Sequence, residues 1–240
     1  MAAKTHQYRI QYEDSQYVMT TSNERDRLAA VHWSRGQFDE LPMLRWVETL
    51  AHSGDYVEVG ANMGNSSVFF LTRCQCTHLY AFEPVSDIYQ LLRRNVEANN
   101  THKIPVTLIQ SAVYQFGGMQ AVWPALDYLD YGRTRMQIRE RSLQDTYPQQ
   151  HKNTAMTRKL DQTIPKHANV ALLRIAAGGH ELPVLYGAVE LLQRSLPVVI
   201  ADVKKPRLLR DIDAFLQQLG YTRYPTTPQP GIYLWATGLT

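Results

Sequence analysis

The sequence predicts an α/β fold: a doubly wound, mostly parallel sheet closed by a C-terminal antiparallel β-hairpin. Three observations carry this. Residues 56–100 read as strand, glycine turn, helix, strand, helix, with an acid near each strand tip. The second half of the chain returns to alternating strand and helix patterns. Its last two strand-like runs are joined by the Pro/Gly-rich TTPQPG, which makes them an antiparallel pair.

Composition agrees with one globular domain. The 240 residues suffice for a sizeable core, and 44% hydrophobic with 20% charged residues is ordinary for a soluble protein. The net charge of +3 is mildly basic and contains no run dense enough to argue for nucleic acid. No stretch approaches a membrane span, and MAAKTHQYRIQYED lacks a signal-peptide core, so the expected compartment is the cytoplasm. Cys74 and Cys76 are the only cysteines, too few for a metal site, and read as reduced thiols.

Taken in order, residues 1–38 form an N-terminal accessory segment and 39–240 a single domain. Tyr8–Tyr12 alternates as a strand and pairs with Tyr17–Met19 in a hairpin. Asp39 is expected to cap a helix ending at Leu50, with Leu41, Leu44, Trp46 and Val47 apolar. Tyr56–Val59 is a strand entering Gly60-Ala61-Asn62-Met63-Gly64, whose glycines permit positive φ and close approach of a ligand. Asn65, Ser66 and Ser67 offer N-cap side chains to the next helix. His78–Phe82 is the second central strand, ending at Glu83-Pro84, and Ser86–Asn99 the helix after it. An acid about 20 residues beyond a glycine turn suits a ribose diol, because a carboxylate accepts both hydroxyl protons.

Val106–Val113 is expected as one strand, with Ser111 and Ala112 small enough to flank a flat ring. Residues 119–160 lack a clean period and read as a variable lid or insertion. Its Tyr128, Tyr131, Arg133, Arg135, Arg139 and Arg141 could grip an anion, although a solvated charged face is the plainer reading. Asn169–Ile175 is a strand, Glu181–Arg194 a helix, Pro197–Val203 a strand, and Leu208–Leu219 a helix ended by Gly220. Thr222–Tyr224 and Ile232–Ala236 form the closing pair.

VEVGANMGNSS, YAFEPVSDIYQLLRRNVEANN, TRKLDQTI and LLRIAAGGHELPVLYGAVELL together resemble the FkbM-type family of S-adenosylmethionine-dependent methyltransferases. The resemblance runs from about Asp39 to Tyr224 and implies a class I methyltransferase, Rossmann-like fold. It implies that Glu58, Gly60, Ala61, Asn62 and Gly64 surround the methionine part of the cofactor, with Ser66 near its carboxylate. Glu83, followed by Pro84, would hold the ribose hydroxyls, and Ser111 and Ala112 would edge the adenine. Asn95 and Asn99 match family positions and read as structural contacts. No metal is implied.

One departure stands out. Where the family's fourth strand usually ends K-I-D-V-E-G-x-E, this chain has Arg174-Ile175-Ala176-Ala177-Gly178-Gly179-His180-Glu181. Ala176 and Gly178 thus replace two carboxylates, and neither can accept a proton. The remaining candidates near the strand tips are His180 and Asp202 as bases, with Glu181 as an orienting acid. The leading expectation is an O-methyltransferase acting on a hydroxyl of a small molecule or glycan. A catalytically impaired relative that binds cofactor or a partner is the alternative, and an RNA methyltransferase the third.

Overall fold

The computed structural model of the protein describes residues 5–50, 52–123, 136–139 and 153–238. A hairpin of β1 (His6–Tyr12) and β2 (Ser15–Thr21) leads through helical turns over Leu28–Arg35 to α1 (Leu41–Leu50). The βαβα unit follows as β3 (Gly54–Val59), α2 (Asn65–Arg73), β4 (Cys76–Phe82) and α3 (Ser86–Asn99). Next come β5 (Val106–Ile109), β6 (Ala112–Val113), β7 (Gln120–Val122), β8 (Gln137–Arg139), β9 (Thr154–Arg158) and α4 (Leu160–Thr163). The chain closes with β10 (Val170–Ile175), α5 (Glu181–Tyr186), α6 (Val189–Ser195), β11 (Val198–Asp202), α7 (Pro206–Gln218), β12 (Thr222–Arg223) and β13 (Ile232–Ala236).

Seven strands form the central sheet in the order β12-β13-β11-β10-β3-β4-β5. The five from β11 to β5 run parallel, and β13 pairs antiparallel with both β11 and β12. Strand order reverses between β3 and β10, which opens a crevice at their carboxyl ends. Because side chains alternate along a strand, each central strand feeds two cores. Tyr56, Leu79, Leu172 and Ile200 pack on one face, and Val57, Tyr80, Leu173 and Val199 on the other. α7 ends as expected: Tyr221 N–H reaches Leu216 O and Gly220 N–H reaches Gln217 O, with Gly220 at φ +83°.

Several expectations are corrected. The run 106–113 is not one strand: β5 stops at Ile109, and β6 joins a separate sheet of order β6-β9-β7-β8. That sheet supplies order to part of the 119–160 region. Arg139 sits on β8, whereas Tyr128, Tyr131, Arg133, Arg135 and Arg141 lie outside the described residues. The helix expected over 181–194 is two helices broken at Gly187-Ala188. A Cβ on Gly187 would lie 2.6 Å from Tyr114 O, and Asp161 restarts the helix by accepting the Glu190 and Leu191 N–H groups. Asp39 Oδ1 accepts the N–H of Glu40, just ahead of α1, and Asn65, Ser66 and Ser67 do not cap α2, whose N-cap is Gly64 at φ +88°. Asp39, Asn65 and Ser67 have other partners, described below.

The N-terminal hairpin shares a core with the central domain: Ile10, Tyr12, Tyr17 and Met19 pack in the cluster that holds Phe69 and Leu92. Asn99 Oδ1 accepts from Val18 N–H and its Nδ2 donates to Val18 O, while Asn95 does the same for Thr20. Two amides one helical turn apart thereby satisfy backbone groups of β2. Asn95 Nδ2 also donates to Met63 O at 2.7 Å, which ties the hairpin to the glycine turn.

Gly60 (φ +80°) is required by the sheet itself: a Cβ there would lie 2.2 Å from Ala176 O. Gly60→Ala is therefore expected to destabilise the fold by about 3 kcal/mol, from left-handed strain plus a backbone collision. Urea denaturation with and without ligand would show the loss in the apo protein.

Candidate functional site

A cleft of about 440 Å³ opens at the carboxyl ends of β3, β4, β10 and β11, within the size range of small-molecule sites. Glu58, Gly60, Ala61, Asn62, Ser66, Glu83, Pro84, Ser111 and Ala112 line it, together with His180 and Asp202. Gly64 does not line it; its φ of +88° and close packing on Leu92 shape the turn behind the wall. Glu181 is likewise set back. Its Oε1 accepts the N–H groups of Ala177 and Gly179, so this carboxylate holds the turn after β10.

The glycine turn and the two strand-tip acids form one hydrogen-bonded unit. Asn62 takes a left-handed φ of +52°. Its N–H donates to Glu83 Oε2 at 3.0 Å, and Val85 N–H donates to Glu83 Oε1 at 2.9 Å. Each carboxylate oxygen keeps a further lone pair. Burial pushes the Glu83 carboxyl up to about 7 against the pull of these two N–H groups. Burial also raises Glu58 to about 7, opposed by the Arg174 charge and by Ser67, whose Oγ donates to Glu58 Oε2. Asn62 Oδ1 is buried without a partner among the described residues.

Helix α2 begins with Asn65, which braces the preceding segment. Asn65 Oδ1 accepts from Trp33 Nε1 and Asp39 N–H, and its Nδ2 donates to Asp39 O. This clamp brings Arg27, Asp39 and Glu40 to the cleft, where the Asp39 carboxylate meets Arg27 Nη2 at 3.1 Å and His32 Nε2 at 3.0 Å. On β10, Arg174 lies in register with Glu58 and pairs with Glu40 at 2.6 Å. Sequence reading assigned no site role to Arg27, Asp39, Glu40 or Arg174. Two acids ahead of a helix look like caps, and only the fold brings them opposite Arg174.

At the mouth, Asp202 on β11 pairs with exposed Lys204 at 3.4 Å. His180 Nε2 lies 3.2 Å from Met136 O, next to β8. Met136 and Ile138 join Val85, Ile88 and Val113 as apolar lining. Ser111 Oγ donates to the carbonyl of Met156, so it ties the β5–β6 corner to β9. Ala176 lines the cleft with its N–H on Val59 O, and Gly178 takes φ +63°. Cys74 and Cys76 are free, and burial raises both thiols, Cys76 to about 12. No group of three potential metal ligands occurs among the described residues, and none of their helices is long and apolar enough to cross a membrane.

The buried acceptors match the donor set of S-adenosylmethionine. Glu83 keeps acceptor capacity for two hydroxyls, and Asn62 Oδ1 and Glu58 add acceptors to the cleft wall. Comparisons with known proteins bear on the fold and the family. The chain is similar to an FkbM methyltransferase from Methylobacillus flagellatus KT (TM-score 0.54, 15% identity), which it matches over 77% of its own length and 43% of that chain. It thus spans less than half of that relative. It is also similar to a candidate tRNA (m1A22) methyltransferase of Streptococcus pneumoniae (TM-score 0.50, 14% identity, 84% of this chain and 71% of that one). At such identities the likeness shows the fold, that of class I methyltransferases. No curated protein matches the chain. The family model described as the methyltransferase FkbM domain matches residues 58–223, more than two-thirds of the sequence and all of the central sheet except β13 and the first residues of β3. The chain belongs to the FkbM family of S-adenosylmethionine-dependent methyltransferases.

Proposed function

We propose that this protein methylates a hydroxyl of a small-molecule or glycan acceptor. The observation that carries the reading is the unit of Glu83, Asn62 and Glu58 at the strand tips, set in a cleft with apolar and carboxylate walls. S-adenosylmethionine, when bound, supplies a methyl group activated on a sulfonium. Glu83, already fixed by two backbone N–H groups, presents its remaining lone pairs to the ribose diol. Ser111 and Ala112 leave room for the adenine, and Glu58 and Asn62 face the methionine part.

Positioning the acceptor is the chain's main task, because alignment can lower such a barrier by on the order of 7–11 kcal/mol. A hydroxyl must also lose its proton. Asp202 and His180 both reach the cleft as candidate bases: the Asp202 carboxylate stands at a strand tip beside exposed Lys204, and His180 Nε2 lies against Met136 O. Glu181 acts on the turn rather than on the acceptor.

A second reading, cofactor binding without turnover, is favoured by Ala176 and Gly178 beyond the tip of β10, where the family resemblance implies carboxylates. Incubation with S-adenosylmethionine and panels of sugars, small alcohols and RNA, reading S-adenosylhomocysteine release, separates the readings. Release with sugars or alcohols is the expected result. Release only with RNA would replace the acceptor class, and binding without any release would favour the second reading.

Two predictions follow from Glu83. Glu83→Ala should weaken S-adenosylmethionine binding about ten- to a hundredfold by calorimetry, the worth of charged hydrogen bonds to a diol. Affinity should also fall with pH. The free carboxyl titrates near 7, and the diol needs it ionised, so binding weakens as pH drops below about 7. Apo stability moves the other way. With its folded value raised from 4.5, this carboxyl favours the fold fully below about 4.5 and loses that contribution as pH rises through 7. A wild-type affinity flat from pH 8 to 5.5 would count against the Glu83 contact.

A further inference from the structure

Arg174 and Glu40 belong to none of the motif positions that mark the nucleoside site, yet both line the cleft. Arg174 stands on β10 opposite Glu58 of β3, and its side chain is only 8% exposed. Its Nη2 donates to Glu40 Oε2 at 2.6 Å, while its Nε is buried with no partner among the described residues. A buried guanidinium N–H without an acceptor is costly, and in the wall of a cleft it awaits a ligand oxygen.

Glu40 carries an independent sign. Its φ is +54°, a left-handed conformation that disfavours a residue with a Cβ. Asp39 Oδ1 accepts the Glu40 N–H at 3.0 Å, and Asn65 clamps the Asp39 backbone in turn. Strain of this kind persists where the surroundings over-determine it, and such places cluster at ligand sites.

We propose that Arg174 and Glu40 form the subsite for the α-amino acid head of S-adenosylmethionine. The unused guanidinium edge takes the carboxylate, and Glu40 takes the ammonium group. An ion pair and a zwitterion then lie side by side with opposite charges facing, and the orphan donor gains an acceptor. Glu58, in register with Arg174, adds negative charge on the neighbouring strand. The carboxylate is thereby held from β10, not by the first turn of α2 and Ser66. This assignment rests on the S-adenosylmethionine reading above.

Calorimetric titration of the full chain, Arg174→Gln and Glu40→Gln tests it with three probes: S-adenosylmethionine, its decarboxylated form and 5′-methylthioadenosine. Arg174→Gln is expected to weaken S-adenosylmethionine about ten- to a hundredfold without weakening the two ligands that lack a carboxylate. Glu40→Gln should weaken both ligands that bear the amine and spare 5′-methylthioadenosine. Equal losses on all three, or no loss on S-adenosylmethionine, would overturn the assignment. If Arg174→Gln does not fold, the unaltered chain decides: a decarboxylated ligand bound as tightly as S-adenosylmethionine means that no carboxylate subsite exists. Failure to bind any of the three removes the nucleoside reading and this proposal with it. Binding of 5′-methylthioadenosine as tight as that of S-adenosylmethionine removes this proposal alone.

Discussion

Two buried carboxylates, Glu58 and Glu83, set the terms for the rest of the site. An ion taken out of water is costly unless every face of it is met by a donor or an opposite charge. Glu83 is met by the N–H groups of Asn62 and Val85, and that demand explains the shape of the glycine turn. Asn62 must go left-handed to aim its N–H at the acid, and Gly60 must lack a side chain so that the chain can turn beside Ala176 O. Glu58 is met by Ser67, the third residue of α2, and by Arg174 across the strand pair. The residues that look like a helix cap in sequence are spent on the acids and on the segment ahead of them.

The same economy governs the N-terminal residues. Asn65 has one oxygen and one NH2, and all of them go to Trp33 and Asp39. Asn95 and Asn99 are spent on the backbone of β2, and Asn95 on Met63 as well. Three asparagines of the βαβα unit thus fasten residues 15–40 to the glycine turn. A buried amide leaves no group unpaired only if the hairpin is in place, so the hairpin and the turn stabilise each other. Asp39, Glu40 and Arg27 enter the cleft as a consequence of that fastening.

The parallel sheet was legible because its signals are local. Short apolar runs ending in an acid or a proline, a glycine turn, and Gly220 after an amphipathic run each determine their own stretch of backbone. Breaks set by distant contacts were not legible. Nothing within 181–194 marks the interruption at Gly187, since its cause is the carbonyl of Tyr114 and the carboxylate of Asp161. The split of 106–113 depends on β9, more than forty residues later, which draws β6 into another sheet. In the cleft, the glycine turn and Glu83 could be read from spacing, and the other positions came from the family resemblance. The contribution of Glu40 could not, because its partner Arg174 lies 134 residues away.

Ala176 and Gly178 take on a different meaning within this charge arrangement. A carboxylate at 176 would stand at the tip of β10, in a wall that already presents Glu58, Glu40 and Asp202 to a single buried guanidinium. Another negative charge there would join a cleft whose described cations, Arg27, Arg174 and Lys204, already pair with Asp39, Glu40 and Asp202. At 178 the constraint is backbone: φ +63° suits glycine, and a glutamate would occupy it only under strain, although the space beside it is open. Glu40, brought to the same cleft by the N-terminal segment, sets a carboxylate beside Arg174. With no acid at 176 or 178 the cleft still holds Glu58, Glu83, Glu40 and Asp202, and the position of Glu40 depends on the N-terminal segment being folded against the sheet.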